Sequence, residues 1–167
     1  MLSDAEAGNA GACTNIGVLF GVGKEVTRNP LYAAYWYGRA VDLGSDIAAF
    51  NLAQMYRHGE GVGKDPVRAY QLTRLAAERG SVPAKCNVGL MLLNGEGCAA
   101  DPAEARVWLK AAVDEGDTLA PIPLAMLLAS GRGGPRDVDR ARAYLAPLVK
   151  LGNPRALQLL ALIDRGL

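Results

Sequence analysis

Glycine recurs along this chain at a constant interval of 36 residues. Three further series keep the same interval in the same register: a second glycine, an asparagine or aspartate, and a large apolar residue. The four series are Gly8, Gly44, Gly80, Gly116 and Gly152; Gly23, Gly59, Gly95 and Gly131; Asn29, Asp65, Asp101 and Asp137; and Trp36, Leu72, Trp108 and Tyr144. Such a register predicts tandem structural repeats, in which each unit buries its apolar face against its neighbours.

One repeat has the pattern of two helices joined by a loop. In the second repeat, small and apolar residues from Ile47 onward fall at helical spacing, and Gly59 is placed to end that first helix in a left-handed conformation. Asp65 and Pro66 then provide the N-cap and the first position of a second helix, which Gly80 closes. Each repeat is therefore expected to be a helix–loop–helix hairpin.

The chain has room for about four such hairpins in one domain covering residues 1–167. The repeats are expected at about 8–43, 44–79, 80–115 and 116–151, with a terminal half repeat at 152–167. A single unit is shorter than the roughly 40 residues that usually fold alone, so the units must share one core. The predicted helices are 10–21, 30–43, 46–57, 66–79, 82–93, 102–115, 118–129, 138–150 and 154–164.

Five residues depart from the usual composition of a helix interior. Gly17 and Gly89 lie inside predicted first helices, where glycine costs about 0.5–1 kcal/mol relative to alanine, so we expect a crowded helix crossing at each. In the fourth repeat, Pro121 fits the first turn, but Pro123 is expected to cost a backbone hydrogen bond or to delay the helix start. Pro147 is expected to interrupt the second helix of the same repeat.

The repeated residues match a known pattern. The pattern A-x-x-x-L-G-x-x-Y-x-x-G-x-G-V-x-x-D-x-x-x-A-x-x-W is represented in the second repeat by Ala48, Leu52, Tyr56, Gly59, Gly61, Val62, Asp65, Ala69 and Leu72. It covers essentially the whole chain and resembles the Sel-1-like repeat, a relative of the tetratricopeptide repeat with a slightly longer loop. The resemblance implies an all-α fold, a right-handed α/α superhelix (solenoid) whose first helices line a concave groove.

The same resemblance implies a role in protein–protein interaction. Proteins of this family act as scaffolds or adaptors for proteins and peptides, and many are bacterial. Some resemble neutralisers (immunity proteins) of secreted toxins, and others resemble partners of cell-envelope assemblies. A cysteine-rich secreted branch pairs cysteines within its repeats, and this chain lacks that pattern.

Candidate partner-binding residues lie on the first helices, outside the buried stripe. Asn15, Asn51 and Asn87 occupy one repeat position and form a predicted ladder for an extended peptide, since each amide offers donors and an acceptor. The alternative is that these asparagines bond the backbone of a neighbouring helix. Three hydrogen bonds at about 0.5–1.5 kcal/mol each give only a few kcal/mol, so binding would also require buried apolar area.

Apolar candidates neighbour the asparagine ladder. One repeat position is occupied by Val18, Gln54, Leu90, Met126 and Leu162. Towards the C-terminal end, an apolar patch for the partner is expected from Ile122, Pro123, Met126, Leu159 and Leu162. The alternative is that some of these side chains pack between adjacent first helices.

The last helix supports a second hypothesis. Leu157, Leu160 and Ile163 are expected to be buried against the preceding helix pair. This arrangement would leave Leu159 and Leu162 exposed on a terminal helix, which normally has a polar outer face. The last helix could therefore be the contact of a self-associating homodimer.

Charge and composition argue against other classes of partner. Lys and Arg number 18 and Asp and Glu 17, without a basic stripe or tail, so nothing favours nucleic acid or anionic membranes as partners. No apolar run approaches the ~18 residues of a membrane span. An odd number of cysteines and no signal peptide favour a reducing, cytoplasmic compartment. The periplasm is the alternative if an upstream segment has been removed.

Few residues could carry chemistry. The segment GEGVGKD at 59–65 lacks the first glycine and the hydroxyl residue of a phosphate-binding loop, and it follows a predicted helix rather than a strand. His58 is the only histidine, and the cysteines share no ligand spacing with it, so no metal or cofactor is expected. No catalytic motif is present, and the chain is predicted not to be an enzyme.

Overall fold

The computed structural model describes residues 1–166, which form helices and no strands. The helices in this part of the chain are α1 (Leu2–Glu6), α2 (Ala10–Val22), α3 (Pro30–Asp42), α4 (Asp46–His58), α5 (Pro66–Glu78), α6 (Val82–Asn94), α7 (Pro102–Asp114), α8 (Pro121–Ser130), α9 (Val138–Lys150) and α10 (Pro154–Asp164). The predicted all-α repeat fold is confirmed. Helices α2 to α10 match the predicted ends to within one residue, except at the start of α8.

The asparagine and aspartate series starts the second helix of each hairpin. The Asp65 carboxylate accepts a hydrogen bond from the Arg68 backbone N–H at 2.9 Å, and Pro66 is the first residue of α5. Equivalent side-chain caps begin α3, α7 and α9 at Asn29, Asp101 and Asp137. Because each cap contributes about 1 kcal/mol, the series fixes where every second helix begins.

The second glycine series ends first helices. Gly59 is the C-cap of α4 with φ of +76°, in the left-handed region that glycine adopts without strain. Gly23 and Gly131 end α2 and α8 with the same geometry. The prediction that Gly59 ends a first helix is confirmed.

The predicted crowding at glycines inside helices is also confirmed. A Cβ at Gly17 of α2 would lie 2.5 Å from ring atoms of Tyr37 on α3. A Cβ at Gly89 of α6 would lie 2.6 Å from Cγ of Leu109 on α7. Both distances are far below van der Waals contact, so the absence of a side chain is what lets each large neighbour pack directly on the helix backbone.

The prolines of the fourth repeat have different effects from one another. Helix α8 begins at Pro121, three residues later than the predicted residue 118, and this delay places Pro123 in the first turn. Amides there have no intrahelical acceptor, so a missing N–H costs nothing. The predicted interruption at Pro147 is wrong, because α9 runs through it to Lys150. Pro147 is exposed, so water can satisfy the carbonyl that loses its donor.

Two compact units make up the chain. The first consists of Met1–Ala84 with Glu96–Cys98, and its core includes the buried residues Ile16, Trp36, Tyr37, Leu52 and Met55. The second consists of Lys85–Gly95 with residues 99–166. Its largest fully buried side chains are Val88, Leu109, Leu124, Leu127 and Leu145.

Candidate partner-binding site

Two repeat positions on the first helices lie beside the buried stripe. In α4 the stripe consists of Ala48, Leu52 and Met55, which are all buried, and Asn51 and Gln54 lie on its flank. We call the residues equivalent to these two the first-helix face. Its members are Asn15, Asn51, Asn87, Pro123 and Leu159 at one position, and Val18, Gln54, Leu90, Met126 and Leu162 at the other.

In the first unit, the asparagines of this face differ in how available they are. Asn15 is exposed, whereas Asn51 is half-buried and its side chain is hydrogen-bonded to the Tyr37 hydroxyl. Burial raises the pKa of Tyr37 above its usual value, and the hydrogen bond from Asn51 lowers it part of the way back. The partner of Asn51 is thus the Tyr37 side chain on α3, and not the backbone of a neighbouring helix that the alternative interpretation names.

The apolar position of the face keeps side chains in contact with solvent. Val18 is exposed on α2, and Gln54 is half-buried on α4. In the second unit, Leu90 is half-buried on α6, while Met126 on α8 and Leu162 on α10 are 39% and 47% exposed. An apolar side chain that remains this open on an otherwise well-packed helix is available to a partner.

The predicted C-terminal patch is formed only in part. Ile122 and Pro123, two members of this patch, are half-buried at the start of α8. Asn87, which belongs to the asparagine ladder and not to the patch, is half-buried on α6. Met126 and Leu162 are the members of the patch that are clearly exposed.

The prediction that Leu159 is exposed is wrong. Leu159 is only 8% exposed and lies in the core with Ala156 and Ile163, whereas Leu157, predicted to be buried, is 45% exposed. Ala156 is equivalent to the buried alanines Ala48, Ala84 and Ala120, and this series fixes the inward face of α10. Ile163 follows Ala156 at a spacing of seven residues, as Met55 follows Ala48, and this register turns Leu157 outward. Leu159 occupies the flank position that Asn51 has in α4 and is nevertheless buried.

A buried thiol in the second unit is held in its neutral form. Cys86 lies on α6 beside the Asp117 carboxylate. Burial, and to a smaller extent the charge and hydrogen bond of Asp117, raise the pKa of Cys86 to about 12. The thiolate is the nucleophilic form of cysteine, so Cys86 is not an activated nucleophile at neutral pH.

Sequence reasoning missed a surface on the second helix α3. Leu31, Tyr35 and Arg39 follow one another at intervals of four residues along this helix and line cavities on both of their sides. We call these three residues the α3 ridge. Leu31 is 70% and Tyr35 56% exposed. The residues equivalent to Tyr35 in the later repeats are Gln71, Val107 and Ala143. The sequence signal for this surface was therefore an aromatic residue at a position that is aromatic in one repeat only.

The two cavities beside the α3 ridge differ in their lining. The first cavity, of about 580 Å³, is additionally lined by Glu6, Asn29, Tyr32 and Trp36. The second cavity, of about 410 Å³, is additionally lined by Ala34, Gly38, Asp42, Leu52, Tyr56, Val62 and Arg68. All of these residues belong to the first unit.

The described part of the chain has neither a metal-binding cluster nor a membrane-spanning helix. Residues 1–166 contain no group of three or more His, Cys, Asp or Glu side chains arranged to hold a metal ion. None of the helices there combines the length and the apolar character needed to span a bilayer.

Comparison with protein families assigns the repeats. The Sel1 repeat model matches residues 10–45, 46–81, 82–117 and 124–153, which together make up most of the chain. The chain belongs to the Sel1 repeat family. The fourth Sel1 match begins late, after the segment in which prolines delay the start of α8. Sel1 repeat proteins are generally protein–protein interaction scaffolds and are typically not enzymes.

Solved structures of bacterial proteins share this Sel1 solenoid fold. A protective antigen present in uropathogenic Escherichia coli strains, with an SLR fold, is 26% identical, with a TM-score of 0.92 over 98% of this chain and 35% of its own. A Sel1 repeat protein from Oxalobacter formigenes is 31% identical, with a TM-score of 0.86 over 93% of this chain and 64% of its own. The chain therefore spans about a third of the first protein and just under two thirds of the second.

A third Sel1 structure is less similar. A putative Sel1 repeat protein from Klebsiella pneumoniae subsp. pneumoniae is 28% identical, with a TM-score of 0.55 over 89% of this chain and 71% of its own. A search among curated proteins finds no match to the chain.

Proposed function

We propose that the chain is a non-enzymatic scaffold that binds a protein or peptide partner along its first-helix face, which would line the concave groove of a Sel1 solenoid. The proposal rests on one observation: side chains at the apolar position of this face stay open to solvent on well-packed helices. Val18, Met126 and Leu162 are exposed there, although each has a buried residue directly beside it in its helix, at Gly17, Ala125 and Ile163 respectively. Burying such side chains contributes about 25 cal/mol per Å² of apolar area removed from water.

Hydrogen bonds from the asparagine position would orient a peptide that is held by this apolar contact. Asn15 is exposed and can offer both donors and its acceptor to a peptide backbone. Asn51 has less to offer because its side chain bonds Tyr37. Replacing Asn51 by alanine is expected to lower stability by about 1 kcal/mol in addition to any effect on binding, so Asn15 is the cleaner site for a binding test.

The proposal predicts a selective effect of Met126→Glu. Immobilised chain should capture a stoichiometric partner from a lysate of its native cell, with the partner identified by mass spectrometry. Met126→Glu should reduce capture about tenfold or more, because a charge would be buried in the interface without a counter-charge. The exposed site itself should lose no more than about 0.5 kcal/mol of stability.

Val107→Glu is the matched control for this experiment. Val107 is an exposed apolar residue in the same unit, on the second helix α7 and outside the first-helix face. The proposal requires that Val107→Glu captures the partner as well as the unmodified chain does. Capture that survives Met126→Glu but is lost in Val107→Glu would contradict it.

The identity of the captured partner would separate two roles within this proposal. A component of a regulatory or cell-envelope complex would identify the chain as an adaptor. A secreted toxin or effector, inactivated on binding, would identify it as an immunity protein. Both roles use the same contacts, so the mutational test applies equally to each.

Exposed leucines on α10 favour a second candidate function, a self-associating module. Leu157 and Leu162 project from the last helix, on either side of its solvent face. A second copy of the chain could bury both leucines in a symmetric dimer.

Leu157→Glu tests self-association separately from partner binding. If α10 is a dimer contact, the chain should form dimers whose fraction rises with concentration in analytical ultracentrifugation. Leu157→Glu should then yield a monomer because it places two carboxylates in the contact. Leu157 lies outside the first-helix face, so partner capture should be unchanged. A chain that is monomeric at high concentration would exclude this candidate.

A further inference from the structure

The α3 ridge and the second cavity contain two arginines that stack on aromatic rings. The Arg39 guanidinium lies over the Trp36 ring, 5.4 Å from its centroid, and that of Arg68 lies over the Tyr56 ring at 4.9 Å. Stacking of this kind holds a guanidinium plane in place and leaves its N–H edge available for hydrogen bonds. Both arginines line the second cavity.

Neither of these arginines has a carboxylate partner. Within residues 1–166, no carboxylate lies within ion-pair distance of Arg39 or Arg68. Other arginines of the same unit are paired: Arg28 lies 2.7 Å from Glu60, and Arg57 makes two bonds of 2.7 and 2.9 Å to Glu96. The second cavity thus brings together two oriented guanidiniums whose donors are unused by the fold.

The charge of the lining indicates which anion fits. Besides the two guanidiniums, Asp42 lines the second cavity, so its walls carry one net positive charge. A carboxylate, with a single negative charge, balances this lining. A phosphomonoester carries nearly two negative charges at neutral pH and would leave an uncompensated charge beside Asp42.

The α3 ridge provides an apolar surface next to this charge. Leu31 and Tyr35 precede Arg39 along the same helix face, over eight residues or about 12 Å. An extended chain covers that length with about four residues at ~3.3 Å each. A short extended segment can therefore place an acidic side chain at Arg39 and Arg68 while its apolar side chains cover Leu31 and Tyr35.

We propose that the second cavity and the α3 ridge form a binding site for an extended peptide segment of a partner protein, in which an aspartate or glutamate lies two or three residues from an apolar side chain. The carboxylate is held by Arg39 and Arg68, and the apolar side chain packs on Leu31 and Tyr35. The site lies on α3, α4 and the start of α5, apart from the first-helix face, and it gives the scaffold a second point of attachment.

The test uses two blocked peptides, acetyl-Glu-Gly-Leu-Phe-amide and acetyl-Phe-Leu-Gly-Glu-amide, because the ridge does not fix the chain direction. Each is titrated into the full chain and followed by NMR chemical shifts. At least one peptide is expected to bind with a Kd of about 1 mM or below and to shift the signals of Leu31 and Tyr35. Replacing its glutamate by glutamine should weaken binding about tenfold, and raising the salt concentration should weaken it further.

Protein variants assign the contact to the two arginines. Arg39→Gln and Arg68→Gln should each weaken peptide binding about tenfold. Arg28→Gln is the matched control, because Arg28 is already paired with Glu60, and it should leave binding unchanged. Met126→Glu should also leave it unchanged, which separates this site from the first-helix face. Circular dichroism of each variant establishes that the fold is intact.

Four results would overturn the proposal. They are equal binding of the glutamate and glutamine peptides, binding that survives in the Arg39→Gln, Arg68→Gln double variant, tighter binding of a phosphoserine peptide than of the glutamate peptide, and no binding of either peptide at about 10 mM. None of them bears on partner capture through Met126, so the proposed function can stand or fall separately.

Discussion

Replacing Gly97 by alanine is expected to lower the free energy of unfolding by about 2–5 kcal/mol. Gly97 has φ of +73°, where an alanine costs about 1–2 kcal/mol. Its Cβ would also lie 1.9 Å from the backbone carbonyl oxygen of Pro66 at the start of α5. A backbone atom cannot rotate away, so the loop and the helix must separate, at a further cost of about 1–3 kcal/mol. Urea denaturation followed by circular dichroism measures the change.

Gly152→Ala separates backbone strain from steric contact. Gly152 has nearly the same conformation, with φ of +71°, but nothing lies within 4 Å of an added Cβ. This variant should lose only the conformational part, about 1–2 kcal/mol. If Gly97→Ala and Gly152→Ala lost the same amount, the close approach to Pro66 would have no energetic weight.

Leu109→Ala is expected to destabilise the chain by about 3–5 kcal/mol, and this loss should not add fully to that of Gly89→Ala. Leu109 is fully buried on α7, and its removal leaves a cavity. Alone, Gly89→Ala should cost about 1–3 kcal/mol, because its Cβ would lie 2.6 Å from Cγ of Leu109. In the double variant, the new methyl group enters the space that Leu109 has vacated. The combined loss should therefore be smaller than the sum by at least about 1 kcal/mol.

A double-mutant cycle with Leu145 provides the comparison. Leu145 is as fully buried as Leu109 but lies on α9. The atoms nearest to an added Cβ at Gly89 belong to Leu109 and Ala105, and none of them belongs to Leu145. Leu145→Ala and Gly89→Ala should be additive to within about 0.5 kcal/mol. Equal coupling energies in the two cycles would show that the crossing of α6 and α7 is not the source of the effect.

The sequence was sufficient for most of the fold because the repeat supplies local signals at the same place several times. Asp65 and Pro66 mark a helix start through hydrogen bonding and fixed φ, and Gly59 marks a helix end through its left-handed conformation. These effects act within a few residues and need no tertiary information. Helix α1 was missed because five residues are too few to show helical periodicity.

The candidate site was predicted less well because it depends on side-chain direction and on neighbouring helices. In α10, four leucines within six positions made two inward faces compatible with the sequence, and the register of Ala156 with the other buried alanines excludes only the face that includes Leu157. The bond between Asn51 and Tyr37 depends on how α3 and α4 pack. The pair Arg39 and Arg68 depends on a cavity lined by three helices, which no spacing in the sequence encodes.

The close approach of a loop glycine to a helix-starting proline has a consequence for how such a gene can change. The contact of Gly97 with Pro66 recurs one repeat earlier and one repeat later, where a Cβ at Gly61 or Gly133 would lie 2.4 or 2.2 Å from the carbonyl oxygen of Pro30 or Pro102. Each of these three junctions between a loop and a helix start therefore pairs a glycine with a proline, at the same separation in the chain. Duplicating or deleting one whole unit of 36 residues recreates a junction that already fits, whereas inserting a single residue between the paired positions does not. Arrays of this kind can therefore lengthen or shorten during evolution in whole-repeat steps without a new interface being selected each time.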